Sequence, residues 1–207
     1  MPEDLPIYSE SMLRTSRQFA GLEKLKGVDA SAVWEKSDNY IGQMEGAMDA
    51  GRARQGFREP TKAGLLELHS TLFGGRKTAG ELRRTAIKPL YRGHDCPEPQ
   101  FIGRSLDNFF NWLAAESISE IHPIEKAALA LTRVVDIWPF EYGNLTVAIM
   151  LGNVFLRDAG LAPFFVLPKD MKEFNTVVAQ AMSIETQPLV NAIFKTIKRE
   201  MEDLAPR

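Results

Sequence analysis

The sequence predicts an all-α fold, a helical bundle carrying one small β-hairpin flap. Three observations predict it. Apolar residues recur at three- and four-residue spacing along most of the chain, strand-like alternation is scarce, and the run from Leu145 to Leu156 is so nearly apolar that, as a helix, it must be buried on every side.

Thr15 to Glu23 and Ser31 to Ala50 read as helices, the second carrying Val33, Tyr40, Ile41, Met44 and Met48. The basic stretch Gly51 to Arg58 breaks that pattern and reads as a solvated connector. Thr61 caps a helix through Leu65, Leu66, Leu68, His69 and Leu72, which Gly74-Gly75 stops; a short helix from Gly80 to Thr85 follows. From Ile87 to Gly103, the residues Pro89, Gly93, Pro97 and Pro99 argue for a loop or small hairpin, the natural candidate for a mobile flap.

Ser105 to Ala115 is amphipathic through Leu106, Phe109, Phe110 and Leu113. Pro123 suits the first turn of a helix that runs to Ile137 and stops before Pro139. The apolar helix from Leu145 ends at Gly160, with Pro163 beyond it, and Asp170 to Met182 and Pro188 to Glu202 supply two more helices. No internal repeat, heptad array or low-complexity tract interrupts this order.

The chain has 207 residues, 44% hydrophobic and 25% charged, which suits one sizeable core with an appendage. A net charge of -2 and a pI near 6.0 give no overall electrostatic reason to approach nucleic acid or an anionic membrane. The single cysteine, Cys96, excludes an intramolecular disulfide and has no second soft ligand at zinc-finger spacing, so a reducing cytoplasm is expected. Met1-Pro2-Glu3-Asp4-Leu5 lacks the basic and apolar regions of a secretion signal, and no run reaches the roughly 18 apolar residues of a membrane span. Association into homo-oligomers is left open.

The most informative stretch is Trp138-Pro139-Phe140-Glu141-Tyr142-Gly143-Asn144-Leu145-Thr146-Val147-Ala148-Ile149. It resembles the signature of the Fic (filamentation induced by cAMP) family, H-P-F-x-[DE]-G-N-G-R-x-x-R, keeping Pro139, Phe140, Gly143 and Asn144. The flanks are similar too: Leu68-His69-Ser70-Thr71-Leu72-Phe73-Gly74-Gly75 with Thr78-Ala79-Gly80-Glu81-Leu82-Arg83, and His122-Pro123-Ile124-Glu125-Lys126-Ala127-Ala128. The resemblance covers Leu65 to Pro168 and implies a Fic-like core over 61–168, preceded by a helical extension over 1–60 and followed by C-terminal helices over 169–207. It also implies a protein adenylyltransferase chemistry with ATP and magnesium: a His base on the target hydroxyl, an acidic magnesium ligand, a glycine-rich phosphate nest and two arginines on the outer phosphates.

Residue by residue, that chemistry is depleted. Trp138 stands at the general-base position, and an indole N–H only donates; loss of a positioned base costs about 10²- to 10⁴-fold. Tyr142 stands where a carboxylate would hold magnesium, a cation that wants anionic or carbonyl oxygen, and Glu141, one position earlier, is the candidate substitute acid. Gly143, Asn144, Leu145 and Thr146 are the candidate ligand-binding residues, a partial anion nest at a helix N-terminus. In it Leu145 brings a Cβ that disfavours positive φ by about 1–2 kcal/mol and obstructs the approach of a phosphate. Thr146 and Ile149 replace the arginines and remove charge-assisted bonds worth about 1.5–3 kcal/mol each.

Other polar residues have plainer readings. His69 is a core histidine on an apolar helical face, and His122 helps cap a helix. His94, Asp95 and Cys96 form a local cluster in the flap without an evident partner base. The resemblance implies that Arg83 and Arg84 meet the ligand cleft, while most such pairs are solvated or salt-bridged; Arg157 and Asp158 pair at a helix end, and Lys195, Lys198 and Arg199 form a solvated last turn. The family's inhibitory pattern, [ST]-x-x-x-E-[GN], is approached by Ser31 to Lys36, with Glu35 as its acid. The expected function is therefore a Fic-fold pseudoenzyme or binding protein lacking ordinary adenylylation, with the flap edge from Pro89 to Phe101 as the surface for a protein target. The alternative is an active transferase on a different phosphate-containing substrate, using Glu141 or the His94 cluster.

Overall fold

A computed structural model describes Phe19, Leu22 and residues 29–88, 91, 94–115, 118, 120–183 and 185–204. Eight α-helices are described: α1 (Ser31–Gln43), α2 (Ala50–Gly56), α3 (Lys62–Phe73), α4 (Pro99–Leu113), α5 (Pro123–Ile137), α6 (Asn144–Asp158), α7 (Met171–Met182) and α8 (Gln187–Leu204). The expected helix over Thr15 to Glu23 lies outside the described residues except at Phe19 and Leu22, both helical and buried.

The hairpin of α5 and α6 is the centre of the bundle. Eleven residues of α6 are buried, among them Val147, Ile149, Leu151 and Leu156 at 0% exposure, so its apolar run is core on all sides. Gly152 lets the two helices approach, because a Cβ there would lie 3.2 Å from the Ala127 carbonyl oxygen. Pro123 opens α5 behind His122, whose Nδ1 accepts from the Ile124 N–H at 3.3 Å, as a cap should. Thr61 caps α3 through Gly64 N–H at 3.1 Å. Helix α8 packs on α7 and α5, with Lys36 of α1 bonding the buried Glu200 at 2.7 Å.

Several sequence expectations are corrected. The helix expected over Ser31 to Ala50 ends at Gln43; a turn with Glu45, Gly46 and Asp49 at positive φ (50°, 74° and 48°) follows, and Ala50 opens α2. Residues 51–58 are no solvated connector: α2 buries Ala50 and Ala53, Phe57 follows at 5% exposure, and Arg54 forks onto Asp38 of α1. Gly80 to Thr85 forms no helix, because Gly80 has φ 79° and gives its N–H to a side chain. Helix α4 starts at Pro99, whose fixed φ suits a first turn, inside the stretch expected to be loop. No strand occurs among the described flap residues, so the hairpin is absent there; Pro89, Leu90, Arg92 and Gly93 are not described.

Candidate functional site

Contacts from several elements hold the loop between α5 and α6. Trp138 ends α5 in the left-handed region (φ 47°), and its carbonyl accepts from Arg83 Nε at 2.7 Å. Pro139's carbonyl accepts from Arg83 N–H at 2.8 Å. Phe140, fully buried, stacks on His69 at 3.9 Å between centroids. Asn144 closes the turn from inside, accepting from Phe140 N–H and donating to Phe140 O, both at 2.8 Å. The Asn144 side chain is thus committed to its own loop rather than to a ligand.

Gly143 carries the positive φ of the turn, 71°, and a Cβ on it would fall 2.2 Å from Phe73 Cε2. Leu145 lies inside α6 without positive φ, so the strain expected of its Cβ does not arise there. The free N–H groups of this helix start would attract an anion. Here the chain supplies one itself: Glu45 accepts from Gly143 N–H and Thr146 N–H at 3.2 Å each and from Thr146 Oγ1 at 2.8 Å. Arg76 donates to the Glu45 carbonyl at 2.7 Å and lies over the Tyr142 ring at 4.5 Å, closing the loop's outer side.

His69 beneath the loop has both nitrogens engaged. Gly80 N–H donates to Nδ1 at 2.8 Å, which fixes the tautomer that donates from Nε2 to Tyr142 O at 3.1 Å. Burial pushes its pKa down from 6.5 to about 4, Arg76 adding to the effect, so it is a neutral structural imidazole near pH 7. Glu141 is exposed and accepts from Thr78 Oγ1 at 3.1 Å. The residues present do not suit magnesium: Tyr142 offers a phenol that lies under a guanidinium, Glu141 is turned to Thr78, and no group of three acidic, His or Cys side chains placed to hold a metal ion occurs among the described residues. Ile149 is fully buried in the core, away from any cleft.

The remaining candidates separate. Arg84 is exposed on Glu81, while Arg83 is 2% exposed and donates to Trp138 O, Thr85 O and Pro97 O, so neither reaches the nest. Arg157 pairs with Asp158 and also donates to Arg54 O and Phe57 O, fastening α6 to α2. Lys198 and Arg199 pair on α8 with Glu202 and Glu200, and Lys195 is exposed. In the flap, His94 bonds Asp136 of α5 at 3.0 Å and Cys96 at 3.7 Å, so the carboxylate of that cluster is Asp136 rather than Asp95.

Glu35 is exposed and Ser31 bonds Asp29, so Ser31 and Glu35, which approach the inhibitory pattern with Lys36 as a departure, are turned to solvent and to Asp29. The acid that touches the loop, Glu45, went unrecognised. Glu45-Gly46 matches the end of the same pattern, with Ile41 where Ser or Thr would stand, and that was the available signal. Arg76 and Asp136 carried none, since only the tertiary fold brings them to their partners.

A helix–loop–buried-helix unit closed over an anion nest defines a Fic-type fold. The chain contains a Fic/DOC family domain, the family matching residues 59–156. It is a distant homologue of protein adenylyltransferase Fic, 30% identical to that of Drosophila erecta over 146 residues (70% of this chain, 29% of the relative). It is 27% identical to that of Nematostella vectensis over 140 residues (67% and 32%). The chain spans about a third of the length of these curated relatives. Among solved structures, a fragment of Fic-1 from C. elegans superposes with TM-score 0.73 at 19% identity, covering 97% of this chain and 73% of that one. A Fic domain containing signaling protein from Bacteroides thetaiotaomicron gives 0.67 at 16% (90% and 94%). Among the described residues, no helix is long and apolar enough to cross a membrane.

Proposed function

We propose that this Fic-fold chain does not carry out ordinary protein adenylylation and acts as a binding protein of the cytoplasm. The observation that carries this reading is the Glu45 carboxylate seated on the N–H groups where a phosphate would lie. Displacing it exposes an anion nest but installs no base, since Trp138 cannot accept a proton and His69 has both nitrogens engaged. The partner is a protein that docks an extended segment along the flap edge from Pro89 to Glu98, ahead of α4, where no described residue lies in a strand.

The test is calorimetric titration with ATP, ADP, AMP and CDP-type nucleotides, with and without magnesium, on the wild type and on Glu45→Ala, beside transfer of labelled adenylate. The expected result is no heat for the wild type, weak magnesium-independent binding for Glu45→Ala, and no label transfer by either. Label incorporation by either protein would overturn the reading. One observation favours the alternative, a transferase using another phosphate-containing substrate: Glu45 sits on an exposed turn at positive φ, from which a plug can swing away. A structural neighbour, BepC from Bartonella tribocorum, holds AMPPNP.

A further inference from the structure

Away from the signature loop, the flap and α5 bring together a thiol, an imidazole and a carboxylate. Cys96 Sγ lies 3.7 Å from His94 Nδ1, and His94 Nε2 lies 3.0 Å from Asp136 Oδ1. With Nε2–H donating to the carboxylate, Nδ1 is left as the acceptor facing the thiol, the arrangement a nucleophile and its oriented base require. His94 is mostly buried, with 10% of its side chain exposed, while Asp136 is 32% exposed and also held by Arg133 at 2.6 Å. Cys96 keeps partial access to solvent. A groove of about 550 Å³ between α4 and α5, lined by Pro97, Phe109 and Trp112, meets the cluster at Asp136, with Trp112 39% exposed on its wall.

From this geometry we infer that Cys96 is a thiol-modification site, activated by the His94–Asp136 pair, that takes up a small-molecule disulfide as a mixed disulfide. His94 Nδ1 accepts the Sγ proton as Sγ attacks one sulfur of the disulfide. The Cys96–sulfur bond forms, the old sulfur–sulfur bond breaks, and the departing thiolate takes the proton from His94. Cys96 is oxidised and the leaving thiol is reduced. Burial pushes the Cys96 thiol up, with Arg83 opposing and the Asp136 and Asp95 carboxylates adding to the rise, so the resting group is a thiol and needs the base. The charged and titratable groups around it are His94, Asp95 and Glu98 of the flap segment, Arg83, and Asp136 and Arg133 of α5.

Cys96 is the single cysteine of the chain, so intact mass reads the reaction directly. The experiment follows glutathionylation by oxidised glutathione from pH 6 to 9 in the folded protein, the same chain unfolded in urea, and folded His94→Gln and Asp136→Asn. At pH 7 the folded wild type is expected to react at least as fast as the unfolded chain, and about 10-fold or more faster than His94→Gln, as loss of a general base predicts. The advantage over His94→Gln should shrink towards alkaline pH, where the thiol ionises without a base. If His94→Gln does not fold, Asp136→Asn serves, with a smaller loss in the same direction. A folded wild type slower than the unfolded chain overturns the proposal, leaving an inert half-buried cysteine; so does a fast rate that neither substitution changes.

Discussion

Replacing Gly143 with alanine tests whether the signature turn is a packed structural joint. The backbone there has φ 71°, which costs an L-residue about 1–2 kcal/mol. The added Cβ would sit 2.2 Å and 2.4 Å from Cε2 and Cζ of Phe73. That ring cannot retreat freely, being 0% exposed and packed against His69 at 4.9 Å and Tyr142 at 5.4 Å. Overpacking of this kind adds about 1–3 kcal/mol, so Gly143→Ala should destabilise by about 2–5 kcal/mol, read as a lower urea midpoint at unchanged m. Phe73→Leu removes the obstructing ring edge; in a double-mutant cycle it should return the overpacking part and leave the φ part. A Gly143→Ala protein within about 0.5 kcal/mol of wild type, the range of an ordinary surface change, would refute the reasoning. The larger Gly143→Val is accordingly a poor probe of ligand binding, because loss of the fold would mimic loss of the nest.

His69 makes stability depend on pH. Its folded pKa of about 4 lies below the unfolded 6.5, so the unfolded chain binds the proton first. The contribution is complete above about 6.5, is lost as pH falls from there to about 4, and changes no further below; at pH 5 the loss is about 2 kcal/mol. Urea midpoints of wild type and His69→Gln at pH 7 and pH 5 should separate by that amount, and equal pH slopes would contradict it. Asn144→Ala strands the buried Phe140 N–H and should cost about 2–4 kcal/mol in the same assay; a neutral effect would show that the loop is held otherwise. Trp138→His restores an imidazole but neither arginine nor a magnesium ligand, so labelled adenylate transfer is expected to stay at background; measurable transfer would mean that the base alone was missing.

The legible part of the sequence was the part governed by local rules. Thr61 and Gly64, His122 and Pro123, and the all-apolar run of α6 are decided within one turn or one helix, and they fall where spacing and capping place them. The break in the long N-terminal helix was harder to read. Met44 and Met48 continue the apolar spacing, and the helix stops because the turn at Glu45 is drawn to the start of α6 and Met48 N–H bonds Leu72 O at 2.7 Å. Proline density over 87–103 predicts loop, yet Pro99 is a first-turn residue, so composition alone hides the start of α4. Arg76 and Asp136 act on partners distant in sequence, so no window along the chain contains their signal.

The residues that match the Fic signature and those that depart from it divide by where they point. Pro139, Phe140, Gly143 and Asn144 all match, and each has a job inside the fold: a carbonyl for Arg83, a ring on His69, a close approach to Phe73, and the two bonds that lock the turn. The departures, Trp138, Tyr142, Leu145, Thr146 and Ile149, stand where the pattern has groups for substrate, metal or phosphate. They are met instead by the chain's own parts: Glu45 on Thr146, Arg76 over Tyr142, and the core around Ile149. Folding accounts for Phe140, Gly143 and Asn144 in the motif, because losing any of those three would leave a buried group unpaired or a buried ring displaced, whereas the Pro139 carbonyl is one that any residue would supply. Their presence is a statement about the fold and no argument for nucleotide transfer.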